Sequence, residues 1–273
     1  MGAGAGAPPV IDERDANALP ETPTAPRPRR RLSVVGVVGE LFVTAGVLVL
    51  LFLAWELWID DALAAAPLKQ QATQQSQKWD EQYRHSPDTT GAKPAPLDPD
   101  DPNIPVLAAP ANAQRFANLI VPRFGSDFYR PIAQGVGVAD VLNRYEVGHY
   151  PTTQMPGEIG NMVLASHRTA YGGALHRLHE LQVGDHVYIE TIDGWYQYSF
   201  RNLEFVTPTG VGVLDPVPQQ PDATAGERML TLTTCNPFYS TAERIIGYAS
   251  FDRFYPRAGG PPAEIAQTVP KGS

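Results

Sequence analysis

Apolar positions change their spacing several times along the chain, and each change marks a different kind of segment. Residues 32–59 form one long apolar block, free of charge from 41 to 55 and bordered by Glu40 and Glu56. A bilayer-crossing helix needs about 20 mostly apolar residues, so this block predicts a transmembrane anchor. Glu40 is its costly member, at about 2.5–3.5 kcal/mol near the centre of a span; the apolar majority outweighs it. A buried core helix and a cleaved leader are the competing readings. The alanines at 62 and 64–66 supply the small residues a cleavage site uses, but a leader's apolar region runs to only about 7–15 residues. The length of the block favours an uncleaved anchor.

On either side the apolar pattern is lost. Residues 1–31 hold six prolines, a Gly/Ala start and mixed charges, too little apolar surface to offset ordering entropy, and are expected to be a disordered tail. Residues 62–84 are rich in Gln, Lys and Glu with few breakers after Pro67, which reads as a polar helical stalk. Residues 85–113 carry seven prolines and several aspartates, the composition of an extended, semi-rigid spacer. Residues 257–273 are again Gly/Pro-rich and are expected to fray. Residues 1–113 hold no candidate catalytic group apart from His85, so a chain begun near Gln114 is expected to fold and react.

Between 114 and 256 short apolar or alternating runs appear, at 118–122, 129–134, 161–166, 186–191, 196–206, 229–235 and 244–251. They are rich in Val, Ile, Tyr, Phe and Thr, and turn signals such as Pro156-Gly157, Gly172-Gly173 and Asp193-Gly194 separate them, as in β-strands. Asp193-Gly194 between two such runs predicts a hairpin. Only 139–145 and 174–181 look helical. The pattern predicts a mainly all-β domain, closed or sandwiched.

Composition narrows the function. A net charge of -8 and a sequence pI of about 5.2 argue against a nucleic-acid partner, which would want a basic stripe. The single cysteine, Cys235, excludes an intrachain disulfide and a Cys-based zinc cluster. The acidic residues form no EF-hand pattern, and neither metal nor cofactor is expected. Arg27, Arg29, Arg30 and Arg31 precede the apolar block and Asp60 and Asp61 follow it. The positive-inside rule then places the N-terminus in the cytoplasm and everything after residue 59 outside.

A lone cysteine is often a small buried hydrophobe, but the setting of this one is particular. Cys235 ends the strand-like run 231–235 and is followed by Asn236-Pro237. Proline cannot continue a central ladder, so the thiol belongs at a strand end, on a rim. A thiol nucleophile needs a base or cationic neighbour. Of the six histidines, His85 lies in the spacer, His176 and His179 in the expected helix, His186 at a strand start, and His149 before a Tyr-Pro turn. His167 closes the apolar run 161–166 just before the polar loop 168–173, also at a strand end. Arg244 lies nine residues after Cys235 at the start of the next strand, where a tight connection would place it beside the thiol. Its guanidinium would suit a carbonyl or developing oxyanion; an ion pair with Glu243 or a nearby Asp is the plainer reading.

Ser166-His167-Arg168-Thr169 after a strand, then Thr231-Leu232-Thr233-Thr234-Cys235, then Arg244, resembles the His, Cys and Arg signature of sortases, membrane-anchored cysteine transpeptidases of Gram-positive bacteria. The resemblance covers about residues 115–255, and residues 150–161 fit it too. Within the family, Leu-Thr-Thr-Cys-Asn-Pro and the long N-terminal region look most like class E of actinobacteria, with class D the rival. The resemblance implies an eight-stranded β-barrel with Cys235 as nucleophile, His167 as general acid/base and Arg244 as the oxyanion-stabilising, substrate-positioning group. It implies that Thr233 and Thr234 contact substrate and that residues 205–228 form the loop shaping the signal pocket. The implied partners are secreted proteins bearing an LAxTG- or LPxTG-like sorting signal, cleaved between Thr and Gly, a peptidoglycan-precursor amine, and the bilayer. A cysteine hydrolase or L,D-transpeptidase-like wall enzyme, and a degenerate membrane-tethered binding module, are the alternatives.

Overall fold

The computed structural model describes Gly2 and residues 33–55, 60–85, 94–169 and 171–269. The tail expected over 1–31 and parts of the spacer and C-terminus lie outside these residues. Contacts divide the chain into two units, 1–50 and 51–273. Helix α1 (Val34–Ala54) includes a 20-residue stretch, Val34–Leu53, of mean hydropathy 2.4 with no part of it buried in protein. It is long and apolar enough to cross a membrane.

The second unit is built on a closed barrel of eight strands: β1 (Arg115–Ile120), β2 (Tyr129–Gln134), β3 (Val147–His149), β4 (Gly160–Ala165), β5 (His186–Glu190), β6 (Gly194–Val206), β7 (Arg228–Asn236) and β8 (Glu243–Pro256). Round the barrel they run β1-β2-β3-β4-β7-β8-β6-β5. The β2/β3 and β4/β7 pairs are parallel and the rest antiparallel. Closure leaves no free edge. Leu119, Ile132, Met162, Leu164, Tyr198, Leu230 and Leu232, all nearly inaccessible, fill the interior. The seven runs read from the sequence are strands, and Asp193-Gly194 turns the β5/β6 hairpin. The three-residue β3 escapes the alternation signal because it is too short to alternate.

Five segments differ from expectation. The runs 139–145 and 174–181 form only single 3-10 turns, Leu142–Arg144 and Leu178–Glu180; segments this short do not offset helix nucleation. The expected stalk is helix α2 (Asp60–Arg84), but it is not free-standing. Leu68, Ala72, Ser76 and Trp79, at helical spacing on one face, are buried, and α2 packs against β2. The described part of the spacer, 94–113, also docks. Leu97 bridges to Phe254, Ile104 enters the core, and the Pro105 carbonyl accepts from the Tyr196 hydroxyl at 2.8 Å. The C-terminal segment buries Ile265 and Val269 with Ala72, Tyr129 and Trp195.

Glu190 is the polar hub of this docking. Fully buried, it accepts from Ser76 Oγ of α2 at 2.6 Å, Asn118 Nδ2 at 3.0 Å, the Tyr129 hydroxyl, and Arg257 Nη2 at 3.0 Å. Arg257 also pairs with Asp80 of α2 at 2.5 Å. A buried carboxylate is tolerated only when paired and hydrogen-bonded in this way.

Candidate active site

Antiparallel pairing of β7 and β8 sets Cys235 directly opposite Arg244. Alternation along β7 turns Leu230 and Leu232 into the core and Thr233 and Cys235 to the outer face, with Ile246 and Arg244 beside them. The thiol is half-buried, and Pro237 breaks the ladder just after it. On the other side of β7, the parallel pair Ala165↔Thr233 brings the end of β4 alongside, so His167 follows the strand at the level of Cys235. The barrel thus orders the three groups along one rim: His167 after β4, Cys235 on β7, Arg244 on β8.

His167 Nε2 lies 2.8 Å from Asn143 Oδ1. A carbonyl oxygen only accepts, so the ring donates there and Nδ1 is left as the basic nitrogen. Partial burial pushes the imidazole pKa below its ordinary value, which favours the neutral ring. One face of the ring lies against Tyr171, with centroids 5.3 Å apart. Arg168 Nη1 donates to the Cys235 carbonyl at 3.2 Å and to Asn236 Oδ1, and its guanidinium lies 3.9 Å over the Phe238 ring. The His167 turn and the end of the thiol strand are therefore tied together.

Arg244 makes no ion pair among the described residues. Its Nη1 donates to the carbonyls of Thr241 at 3.1 Å and Glu243 at 2.9 Å, while the Glu243 carboxylate accepts from Asn236 Nδ2. The plainer ion-pair reading with Glu243 is thus not what the structure shows. Tyr150 stands close to both groups. Burial raises its pKa, the Arg244 charge lowers it and Cys235 raises it. The two threonines divide. Thr233 shares the face of the thiol, whereas Thr234 is turned away from it, its hydroxyl donating to the Ser166 carbonyl at 2.7 Å.

The loop from β6 to β7 covers this outer face, with Val213 packed on Ile246 and Tyr248. A single buried side chain pins it. Asn161 Nδ2 donates to the carbonyls of Val213 at 2.9 Å and Asp215 at 3.1 Å, and its Oδ1 accepts from Thr231 Oγ1 at 2.7 Å. Its backbone N–H donates to Gln154 Oε1 in the loop between β3 and β4. A cavity of about 470 Å³ farther along β7 and β8, lined by Arg201, Glu204, Met229 and Tyr248 among others, does not include the thiol.

The remaining histidines stand elsewhere. His149 is sealed between Gln134 and Gln154, His176 donates to the Arg168 carbonyl, His179 stacks edge-on to Phe238, His186 pairs with Glu264, and His85 caps the end of α2 on the Glu81 carbonyl. Asn143, Tyr150, Asn161 and Arg168 join the site without standing out as candidates in the sequence. Arg168 lies next to His167, and Tyr150 and Asn161 bound the stretch 150–161 that shares the family resemblance; Asn143 carries no such signal.

The sortase domain family matches residues 119–252. Sortase SrtE1 of Streptomyces coelicolor is 34% identical over 231 residues, 82% of this chain, and the chain spans 59% of that relative's length. In three dimensions the barrel is similar to SrtA sortase from Actinomyces oris, at 34% identity and a TM-score of 0.56, over 60% of this chain and 94% of that one. It is similar as well to sortase E1 from Streptomyces coelicolor, solved with a tripeptide in its active site, at 35% identity and a TM-score of 0.53, over 58% of this chain and 99% of that one. The matched segment runs from β1 to β8 and carries the Cys235, His167 and Arg244 rim, and by these likenesses the chain belongs to the sortase family.

Proposed function

We propose that the chain is a membrane-anchored cysteine transpeptidase that cleaves a sorting signal between Thr and Gly and transfers the acyl part to an amine. The observation that carries this reading is the rim on which β4, β7 and β8 set His167, Cys235 and Arg244 side by side. The neutral His167 takes the thiol proton as sulfur attacks the Thr carbonyl. Negative charge grows on the carbonyl oxygen, where the Arg244 fork stabilises it. The imidazolium returns its proton to the departing glycine nitrogen, leaving a thioester on Cys235. An incoming amine then loses a proton to His167, its nitrogen forms the new amide, the C–S bond breaks, and the proton goes back to sulfur.

The class E likeness favours an LAxTG-like signal and an acceptor amine on a peptidoglycan precursor, and Thr233 on the thiol's face suits the substrate groove. The catalytic unit runs from 114 to 256. The Arg27–Arg31 positive cluster before α1 supports a cytoplasmic N-terminus and a barrel outside the membrane. Protease added to wall-stripped cells is expected to reach the barrel; protection of the barrel with digestion of the tail overturns that orientation. The full chain incubated with a sorting peptide and an amine is expected to give a transfer product and a Cys235 adduct by mass spectrometry. Hydrolysis alone would make it a cysteine hydrolase, and no turnover a binding module.

A further inference from the structure

The second half-reaction constrains where the acceptor must sit. The group that takes the amine's proton has to touch the amine, so the acceptor binds against whatever surrounds His167. Round the barrel rim the order is β3, β4, β7, β8, so Arg244 flanks the thiol on one side and His167 flanks it on the other. A thioester whose oxygen is held toward Arg244 leaves its open side facing His167. Two exposed tyrosines stand there. Tyr171 lies on the His167 ring, and Tyr145, just before β3, meets Tyr171 edge-on at 5.7 Å. They are 41% and 36% exposed, and their hydroxyls make no hydrogen bond among the described residues.

Their backbones are also unusual. Tyr171 has φ 51° and Tyr145 φ 66°, the left-handed region that bulky side chains rarely adopt and that concentrates at ligand sites. Neither ring fills the core; Tyr145 takes the conformation where it closes the Leu142–Arg144 turn, its N–H donating to the Leu142 carbonyl at 3.2 Å. We propose that Tyr171 and Tyr145 form the acceptor subsite: a two-ring shelf beside His167 that packs on the stem of a peptidyl amine and aims its nitrogen at the thioester. The proposal rests on the transpeptidase reading. Aromatic faces suit peptide planes and aliphatic stems, and the shelf carries no charge to repel or capture an ionic acceptor.

The test measures, in the full chain, how the acyl-enzyme partitions between an amine and water. That ratio cancels damage to acylation and to His167, which serves both outcomes. With triglycine as acceptor, Tyr171→Ala and Tyr145→Ala are each expected to lower the ratio roughly tenfold, the upper size of one lost aromatic contact. With hydroxylamine, which has no stem to pack, the ratio should move far less, and Tyr171→Phe should restore the triglycine value. An equal fall for both amines would mean that the tyrosines shield the thioester from water rather than pack on an acceptor stem, and an unchanged ratio would mean that they only position His167 or, with a raised KM for the sorting peptide, sit on the donor side; any of these overturns the proposal. A wild-type chain that forms no acyl-enzyme overturns the transpeptidase reading itself.

Discussion

At the scale of single residues, the site depends on groups that hold the reacting ones. Asn143 fixes the tautomer of His167 by accepting from Nε2. Asn143→Ala is expected to lower kcat about tenfold, because the wrong nitrogen then carries the proton part of the time, with a much smaller change in KM; unchanged steady-state transfer would rule the contact out as an orienting one. Arg244 binds two neighbouring carbonyls through one nitrogen and makes no ion pair among the described residues. Its planar fork is what a lysine cannot copy, so Arg244→Lys should cost on the order of 10²-fold in kcat/KM, the size of one oxyanion donor. Near-normal turnover with native circular dichroism would reduce Arg244 to a loop brace. Histidine titration also reaches stability. Burial lowers the pKa of both His149 and His167, for His149 against the pull of the Gln154 carbonyl and Glu158. Above the unfolded value of about 6.5 both states are neutral and the stability is whole. As pH falls through that value the unfolded chain gains protons first, and stability drops until the lower folded values are passed. The melting temperature should therefore fall between about pH 7.5 and about pH 5, and His149→Gln should flatten that fall; an identical slope in the variant would assign it to other groups.

At the scale of elements, Asn161 acts as a clamp between two loops and a strand. Its amide spans Val213, Asp215 and Thr231, and its backbone meets Gln154. Without it the wall over the outer face of β7 loses hydrogen bonds worth about 1 kcal/mol each. Asn161→Ala should raise KM for a sorting peptide roughly tenfold, with a lesser effect on kcat, and Thr231→Val should act in the same direction. A fall confined to kcat would place the clamp in the chemistry rather than in the shape of the groove. Legibility in the sequence divides along the same lines. Period-2 alternation exposes strands such as β6 and β7, and Pro237 with the short link to Arg244 exposes the thiol rim. Asn161 opens the apolar run 161–166 and reads only as its polar first position, while the partners of its side chain lie 52 to 70 residues away. Asn143 falls in a segment that imitates a helix and turns instead, ending at Tyr145 in the left-handed region.

At the scale of the whole molecule, the least legible feature is how much of the chain outside the barrel is docked on it. Leu97, Ile104 and Leu107 are isolated apolar residues among prolines, and each docks alone, so no periodicity announces them. The buried stripe of α2 uses Ala72 and Ser76, small residues that leave a polar helix looking polar all round. Asp80, Glu190 and Arg257 meet across 67 and 177 residues of sequence, a separation no local pattern can reveal. These contacts add a stability cost to the expectation that a chain begun near Gln114 folds and reacts. Truncation there removes Ser76 and Asp80 from the Glu190–Arg257 cluster, and hydrogen bonds to charged groups are worth about 1.5–3 kcal/mol each. It also removes Leu68, Trp79 and Ile104 from buried positions, and side chains of that kind contribute about 1.5–3 kcal/mol when fully buried. Water recovers part of the polar loss, because the cluster becomes exposed. A net loss of several kcal/mol, at about 2–4 °C per kcal/mol for a domain of this size, corresponds to a melting temperature lower by roughly 10 °C. The catalytic rim lies on β4, β7 and β8 and takes none of its groups from residues before 114, so the surviving folded fraction should still turn over a sorting peptide in the cold. The comparison is between soluble chains beginning at Asp60 and at Gln114, followed by thermal unfolding and by turnover well below both midpoints. Midpoints within about 2 °C of each other would mean that the docked segments add nothing to stability. A cold, folded but inactive short chain would mean that α2 or residues 94–113 reach the site in a way the hydrogen-bond network does not convey.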